Sequence, residues 1–375
     1  MRFLFYTHSL VSDWNNGNAH FQRGILRELI ARGHEARALE PADGWSRANL
    51  MIEEGASALR RFADLYPELR SDTYIGRYDH EAELAEADVV VVHEWTDPQL
   101  IARIGRARKR GGRFTLLFHD THHRAVSAQP ALKALDLSGY DAVLAFGDTL
   151  RQTYEQQGWG RRAFTWHEAA DTRLFRPLAD VPQTGDLVWV GNWGDGERSA
   201  EIEEFLIAPA EKLGLRTSIH GVRYPREARQ RLAEAGIAFR GYAPNTDVPR
   251  LFAEHRVTVH IPRRPYARQL PGIPTIRVFE ALAAGIPLVT APWTDSEHLF
   301  RPGADYLVAR SGEDMAKALF SVVSDPALAR SLARSGRETI LRRHTVAHRV
   351  DELMTILDQI GARVPPAPSS LETTP

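Results

Sequence analysis

The sequence predicts an α/β protein of two Rossmann-like halves, each a parallel sheet with helices on both faces. Three observations lead there. The chain has 375 residues, room for two cores when domains usually run roughly 100–200 residues. Short apolar runs alternate with segments whose apolar residues fall at helical spacing, the pattern of βα units. That rhythm is suspended at 175–185, where Pro, Gly and polar residues crowd together, and then restarts.

In the first half, the runs 3–6, 36–39, 89–92, 115–118 and 142–146 read as buried strands. Phe21, Ile25, Leu26, Leu29 and Ile30 form one helical face that stops at Gly33. In the second half the strands are expected at 187–190, 217–219, 257–261 and 288–290, with helices at 199–206, 226–235, 248–255 and 276–284. Three further helices follow at 313–323, 326–342 and 345–360, the last crossing back onto the first half. The expected division is 1–177 and 178–345 for the two domains, 346–361 for the crossover helix and 362–375 for a flexible tail rich in Pro, Ser and Thr.

Composition narrows the function. Lys plus Arg (47) nearly cancel Asp plus Glu (48), so no global basic face recommends nucleic acid as a partner. The absence of cysteine excludes disulfides, thiolate metal sites and cysteine nucleophiles, and fits a reducing, cytoplasmic setting. Residues 1–8 read as a first strand rather than a secretory leader. No run reaches the roughly 18 apolar residues of a membrane span, which leaves at most peripheral membrane contact.

The most informative stretch is 272–289, where a Gly/Pro loop opens a helix that closes at Gly285 before a buried strand. A helix amino terminus gathers free N–H groups and the positive end of the helix dipole, a setting that suits a diphosphate. Thr275 and Ile276 would supply those amides. Glu280, about a turn further in, either accepts hydrogen bonds from ribose hydroxyls or is a solvated residue that answers the dipole.

The run 277–289 resembles the signature of group 1 glycosyltransferases, closest to the branch typified by spore maturation protein CgeB. Ala291-Pro292-Trp293, Glu297-His298-Leu299-Phe300 and Pro302-Gly303-Ala304-Asp305 extend the likeness across most of the second half. The resemblance implies a GT-B fold, a nucleotide-sugar donor in the cleft between the halves, no cofactor, and a ribose-binding role for Glu280. Replacing Glu280 by Ala is then expected to weaken donor binding and leave the fold intact. The wider family places a second glutamate eight positions earlier to hold the transferred sugar, and this chain has Gly272 there.

A second signal is the Gly-rich loop after the strand at 187–190. The family often has an arginine just after the strand glycine and a lysine six residues later, and here those places hold Asn192 and Arg198. Arg198 keeps the charge needed to neutralise a leaving diphosphate. Arg277 is a secondary cation that would equally pair with a core carboxylate. Tyr242 stands where related enzymes hold the nucleobase, and either stacks on it or packs.

In the first half, the apolar strand 89–92 delivers His93 and Glu94 at its carboxyl end. The resemblance puts His93 against the transferred sugar near its anomeric carbon. His119 and Asp120, in the His-rich loop that follows the next strand, are expected to line the acceptor pocket, while His122 and His123 either bind acceptor or cap a helix. This cluster also invites zinc, but His119, His122 and His123 lack a familiar zinc spacing, and no metal site is expected. Gly17 takes the place of the family's glycine that faces the donor phosphate, with Asn18 a capping alternative. Asp13 and His20 are the acceptor-side groups from which an inverting enzyme would draw a base.

These expectations describe a glycosyltransferase, retaining by resemblance and independent of metal, with an unknown acceptor. A nucleotide-sugar 2-epimerase and a non-catalytic nucleotide-sugar-binding protein are the alternatives.

Overall fold

The computed structural model describes residues 1–362, and their parallel strands form two separate sheets. The expected tail at 362–375 falls, beyond Ala362, outside the described residues. The first sheet contains β1 (Arg2–Tyr6), β2 (Glu35–Pro41), β3 (Arg70–Tyr74), β4 (Val89–His93), β5 (Thr115–Asp120), β6 (Ala142–Ala145) and β7 (Ala163–Thr165), in the order β3-β2-β1-β4-β5-β6-β7. The second contains β8 (Leu187–Val190), β9 (Thr217–His220), β10 (Ala238–Phe239), β11 (Val257–His260), β12 (Leu288–Thr290) and β13 (Leu307–Val308), in the order β10-β9-β8-β11-β12-β13. Both orders reverse direction beside their first strand, between β1 and β4 and between β8 and β11. At such points the connections diverge to opposite faces and leave a crevice outside the carboxyl ends of the strands.

The apolar runs become strands because both sheet faces are covered. Val89, Val90, Val91 and Val92 are all buried, odd residues packing with one cluster and even residues with the other. β3 escaped the sequence reading because Arg-Ser-Asp-Thr-Tyr is a polar edge strand, protected from further pairing by the character that hides it.

The segment expected as one helix at 199–206 is instead Ser199–Ile202, a π-helical turn Glu203–Ile207, and a helix Ala208–Leu213. Pro209 explains the break: its ring cannot donate and crowds the carbonyl four residues back, so the ladder widens by one residue.

The last helix, Val346–Gln359, returns to the first half and packs along helix Asn18–Ala31. Val350, Leu353 and Leu357 are buried there with Phe21, Ile25 and Leu29, each worth about 1.5–3 kcal/mol on full burial. Gly24 permits the close approach, since a Cβ on it would stand 2.7 Å from Val346 Cγ1. Thr345 and His348 close the helix start with a capping box, and the Trp166 indole donates to Arg349 O at 2.8 Å. Among the described residues no helix is long and apolar enough to cross a membrane.

Candidate functional site

A cleft of about 500 Å³ lies between the carboxyl ends of the two sheets and is lined by both halves. Its second-half wall gathers the residues that follow β8 and β11 and the start of helix Ile276–Ala284. Thr275 is the N-cap of that helix, but its hydroxyl pairs with His260 Nε2 at 3.2 Å instead of capping a backbone amide. Thr275 therefore leaves the helix start without an N-cap side-chain bond, and Thr275, Ile276 and Arg277 all line the cleft.

Arg198 reaches the same wall from the Gly-rich loop. Its guanidinium rests over the Trp189 ring at 5.0 Å and donates to Ile261 O at 2.8 Å and Asn192 O at 2.6 Å. These carbonyls fix the plane of the group, while its Nε is buried without a partner among the described residues. Burial, with Arg263 beside it, lowers its pKa to about 10, so it still carries its charge at neutral pH. Asn192 lines the cleft with its amide already used, donating to Asn15 and accepting from Val222 N at 3.0 Å.

Glu280 does not line the cleft. It is fully buried behind the wall, one oxygen 2.8 Å from His20 Nδ1 and the other bonded to Arg277. A ribose reaches this carboxylate only where one of those partners gives way. Gly272, at the place of the family's second glutamate, has φ +89°, and a Cβ on it would fall 2.4 Å from Ser296 Oγ. As glycine it sends no side chain toward the cleft, and the positive φ would strain any that replaced it.

On the first-half wall, His93 lies at the end of β4, 2% exposed, with Nε2 at 3.1 Å from both the Asn18 amide nitrogen and Thr121 Oγ1. Burial lowers its pKa to about 3, leaving a neutral imidazole facing the cleft. His122 and His123 also line the cleft; His122 is neutral for the same reason, its pKa lowered to about 2, and His123 approaches Glu197 Oε2 of the other half at 3.4 Å.

Several first-half candidates are turned away from the cleft. His119 sits in the core, its ring 4.9 Å from Trp166 and 5.9 Å from Phe21, so it does not line an acceptor pocket. Asp120 accepts from Tyr154 OH at 2.7 Å and His122 N at 3.0 Å; burial raises its pKa to about 7, and it braces the loop from behind. Glu94 is likewise buried behind the wall, with its pKa raised by burial to about 8. His20 accepts from Asp171 N at 3.1 Å through Nε2, which leaves the Nδ1 proton for Glu280, so both ring nitrogens are spent and it is no acceptor-side base.

Asp13 reaches the cleft, but its oxygens take the Arg23 guanidinium at 2.8 Å, the Tyr242 hydroxyl and Asn245 N at 3.2 Å. Tyr242 and Asp13 thus form a bond between the halves. Gly17 lines the cleft too, and a Cβ there would meet Ile276 Cγ2 at 3.1 Å, so its small size lets the two halves approach.

Glu168 was not legible from the sequence. It follows β7, is 5% exposed, and lines the cleft with its carboxyl beside the Ile276 amide. Burial, then the nearby Glu280 and Glu94, raise its pKa well above the carboxylate range. An acidic residue two positions after a buried Trp, just past a strand end, is the only local signal. Arg263, which donates to Glu197 at 2.7 Å on the cleft wall, was missed as well. Among the described residues, no three His, Asp or Glu side chains are grouped to hold a metal ion.

A family model described as glycosyl transferase-like matches residues 198–355. No curated protein matches the sequence. Among solved structures, sucrose-phosphate synthase from Thermosynechococcus elongatus is similar at TM-score 0.69 and 15% identity, covering 97% of this chain and 100% of that one. HepE from Anabaena, in complex with UDP and glucose, is similar at TM-score 0.68 and 16% identity, covering 96% and 100%. T4 phage BGT with its UDP-glucose substrate follows at TM-score 0.60 and 12% identity, covering 96% and 99%. The fold is the two-domain, parallel-sheet α/β arrangement of the GT-B glycosyltransferases.

Proposed function

We propose that this GT-B-type chain transfers a sugar from a nucleotide-diphosphate donor to an acceptor hydroxyl held by its first half. The observation that carries the reading is the convergence, on one cleft wall, of the uncapped start of helix Ile276–Ala284 and the fixed Arg198 guanidinium. Amides, helix dipole and cation together match a diphosphate and stabilise the charge that grows on it as it leaves. The match of residues 198–355 to a glycosyl transferase-like model supports the same wall. The segments at 291–293, 297–300 and 302–305 favour the CgeB-like branch within that group.

In this reading the acceptor oxygen bonds to the anomeric carbon as the bond from that carbon to the diphosphate oxygen breaks. The electron pair leaves on the diphosphate, and the acceptor proton passes to a departing phosphate oxygen. Retention follows from that same-face delivery, and His20 and Asp13, the two groups from which inversion was expected to draw a base, are already bonded. His93, held neutral, contacts the transferred sugar. Glu280 takes ribose hydroxyls when Arg277 turns from it toward the phosphates. UDP is the nucleotide proposed, because HepE and T4 phage BGT are both described with it. The cytoplasm, where nucleotide sugars are made, is the proposed setting.

Charge neutralisation by Arg198, Arg263 and Arg277 makes the reaction independent of metal. T4 phage BGT is also described with UDP and Mn2+, which makes chelation a sharp measurement. The test is to incubate the protein with UDP-, GDP-, dTDP- and ADP-sugars, with and without acceptors, in EDTA. Acceptor-dependent release of nucleoside diphosphate supports the reading. Acceptor-independent conversion means an epimerase, binding without turnover means a sensor, and loss of turnover in EDTA removes the metal-independent step.

A further inference from the structure

Trp45 and Trp95, 41% and 42% exposed, are the two exposed tryptophans among the described residues, and both line the first-half wall of the cleft. They flank His8, whose ring centre is 4.9 Å from Trp45 and 6.4 Å from Trp95. Trp45 is edged by Trp14 at 5.7 Å. Trp95 lies over the Arg124 guanidinium at 4.3 Å and meets His122 at 5.2 Å. The indoles are therefore held in place while part of each remains in water, which forgoes burial of two of the largest apolar side chains.

The same wall carries buried polar atoms without partners among the described residues: His8 Nε2, Asn18 Oδ1 and His122 Nδ1. Both imidazoles are neutral, burial lowering His8 to about 4 and His122 to about 2. A neutral imidazole offers one donor and one acceptor, which suits hydroxyls better than a full charge. The nearby charges are already engaged, Arg124 under Trp95 and bonded to Glu94 O, Asp13 by Arg23. Arg124, the cation beside this wall, is covered by the Trp95 ring rather than presented to the cleft as a phosphate would need, and an alkyl chain would leave the three polar atoms unsatisfied.

We propose that this wall is a subsite for a neutral saccharide acceptor, whose ring faces stack on Trp45 and Trp95 while its hydroxyls meet His8, Asn18 and His122. The proposal names the acceptor class for the transfer reaction proposed above and rests on that reading for the direction of transfer. A pyranose has an apolar C–H face and a rim of hydroxyls, the two features that this wall separates in the same way.

The test measures binding to the full chain without donor, by calorimetry and by tryptophan emission with acrylamide quenching. The probes are maltotriose, cellotriose, xylotriose, mannotriose and chitotriose, with naringenin and dodecyl phosphate as the aromatic and lipid-like rivals. Saturable binding of at least one trisaccharide that shields tryptophan from acrylamide, weakened about tenfold or more by Trp45→Ala or Trp95→Ala, supports the subsite. No trisaccharide binding, tighter binding of either rival, wild-type emission unmoved by a bound trisaccharide, or full affinity in the double variant overturns it. UDP affinity is measured on the same samples. Saccharide binding without UDP binding removes the donor reading and leaves the subsite standing; the reverse removes the subsite alone.

Discussion

His20 donates from Nδ1 to Glu280 at 2.8 Å, tying helix Asn18–Ala31 of the first half to helix Ile276–Ala284 of the second through two fully buried side chains. Arg277 completes the arrangement on the other carboxylate oxygen.

Glu280→Ala is therefore expected to do more than weaken donor binding, because it leaves Arg277 and His20 without their shared acceptor. Breaking a buried pair from one side costs about 3–5 kcal/mol, a fall of several degrees in melting temperature. The fold is still expected to form, with lower stability because both partners of the carboxylate lose it at a buried site. A melting curve equal to that of the wild type would show that the two helices are not joined this way.

Arg198→Ala should weaken UDP binding about tenfold to a hundredfold, the worth of about 1.5–3 kcal/mol for a hydrogen bond to a charged group. Arg198→Lys should recover little, since one ammonium cannot hold the carbonyls of both Ile261 and Asn192 and still meet a phosphate in a fixed plane. Calorimetric titration with UDP decides this, and equal affinity in the Ala variant would remove Arg198 from the diphosphate site.

Glu168 sets a pH dependence on the same site. Its pKa is raised, first by burial and then by Glu280 and Glu94, so the neutral acid persists to higher pH than in an ordinary glutamate. As pH rises its anion forms beside the Ile276 amide, where a diphosphate is proposed to bind, and UDP affinity should fall. Glu168→Gln should bind UDP as the wild type does at low pH and lose this decline. Parallel affinity profiles for the two proteins between pH 6 and 9 would dismiss the effect.

Gly272→Ala places a side chain at φ +89° and a methyl 2.4 Å from Ser296 Oγ. The backbone strain alone costs of order 1–3 kcal/mol, so thermal denaturation should show a clear loss of stability. A neutral outcome would mean the loop before helix Ile276–Ala284 is free to rearrange, and with it the aim of the helix start.

Local pattern made β1, β4, β5, β8, β11 and β12 readable, because a strand covered on both faces must be apolar throughout. Helix Ile276–Ala284 was readable from its Gly/Pro entry and its Gly285 exit. Pro209 could have warned of the π-helical turn, but its effect is felt four residues upstream, inside an otherwise helical pattern.

What the sequence determined by itself is the two-sheet plan and the grouping of the Gly-rich loop and helix start on the wall proposed to hold the donor, since both rest on residues near one another in the chain. The tertiary structure decided which polar side chains face the cleft. His119 and Asp120 share a strand end with the cleft-facing loop yet turn into the core. His20 meets Glu280, 260 residues away, and Asp13 meets Tyr242, 229 away. Trp45, at the start of helix Trp45–Glu54, and Trp95, in the loop after β4, come together around His8 in the loop after β1. The physical reason is that a buried polar group must find a partner wherever folding brings one, and that search is settled by the packing of two halves rather than by spacing along the chain.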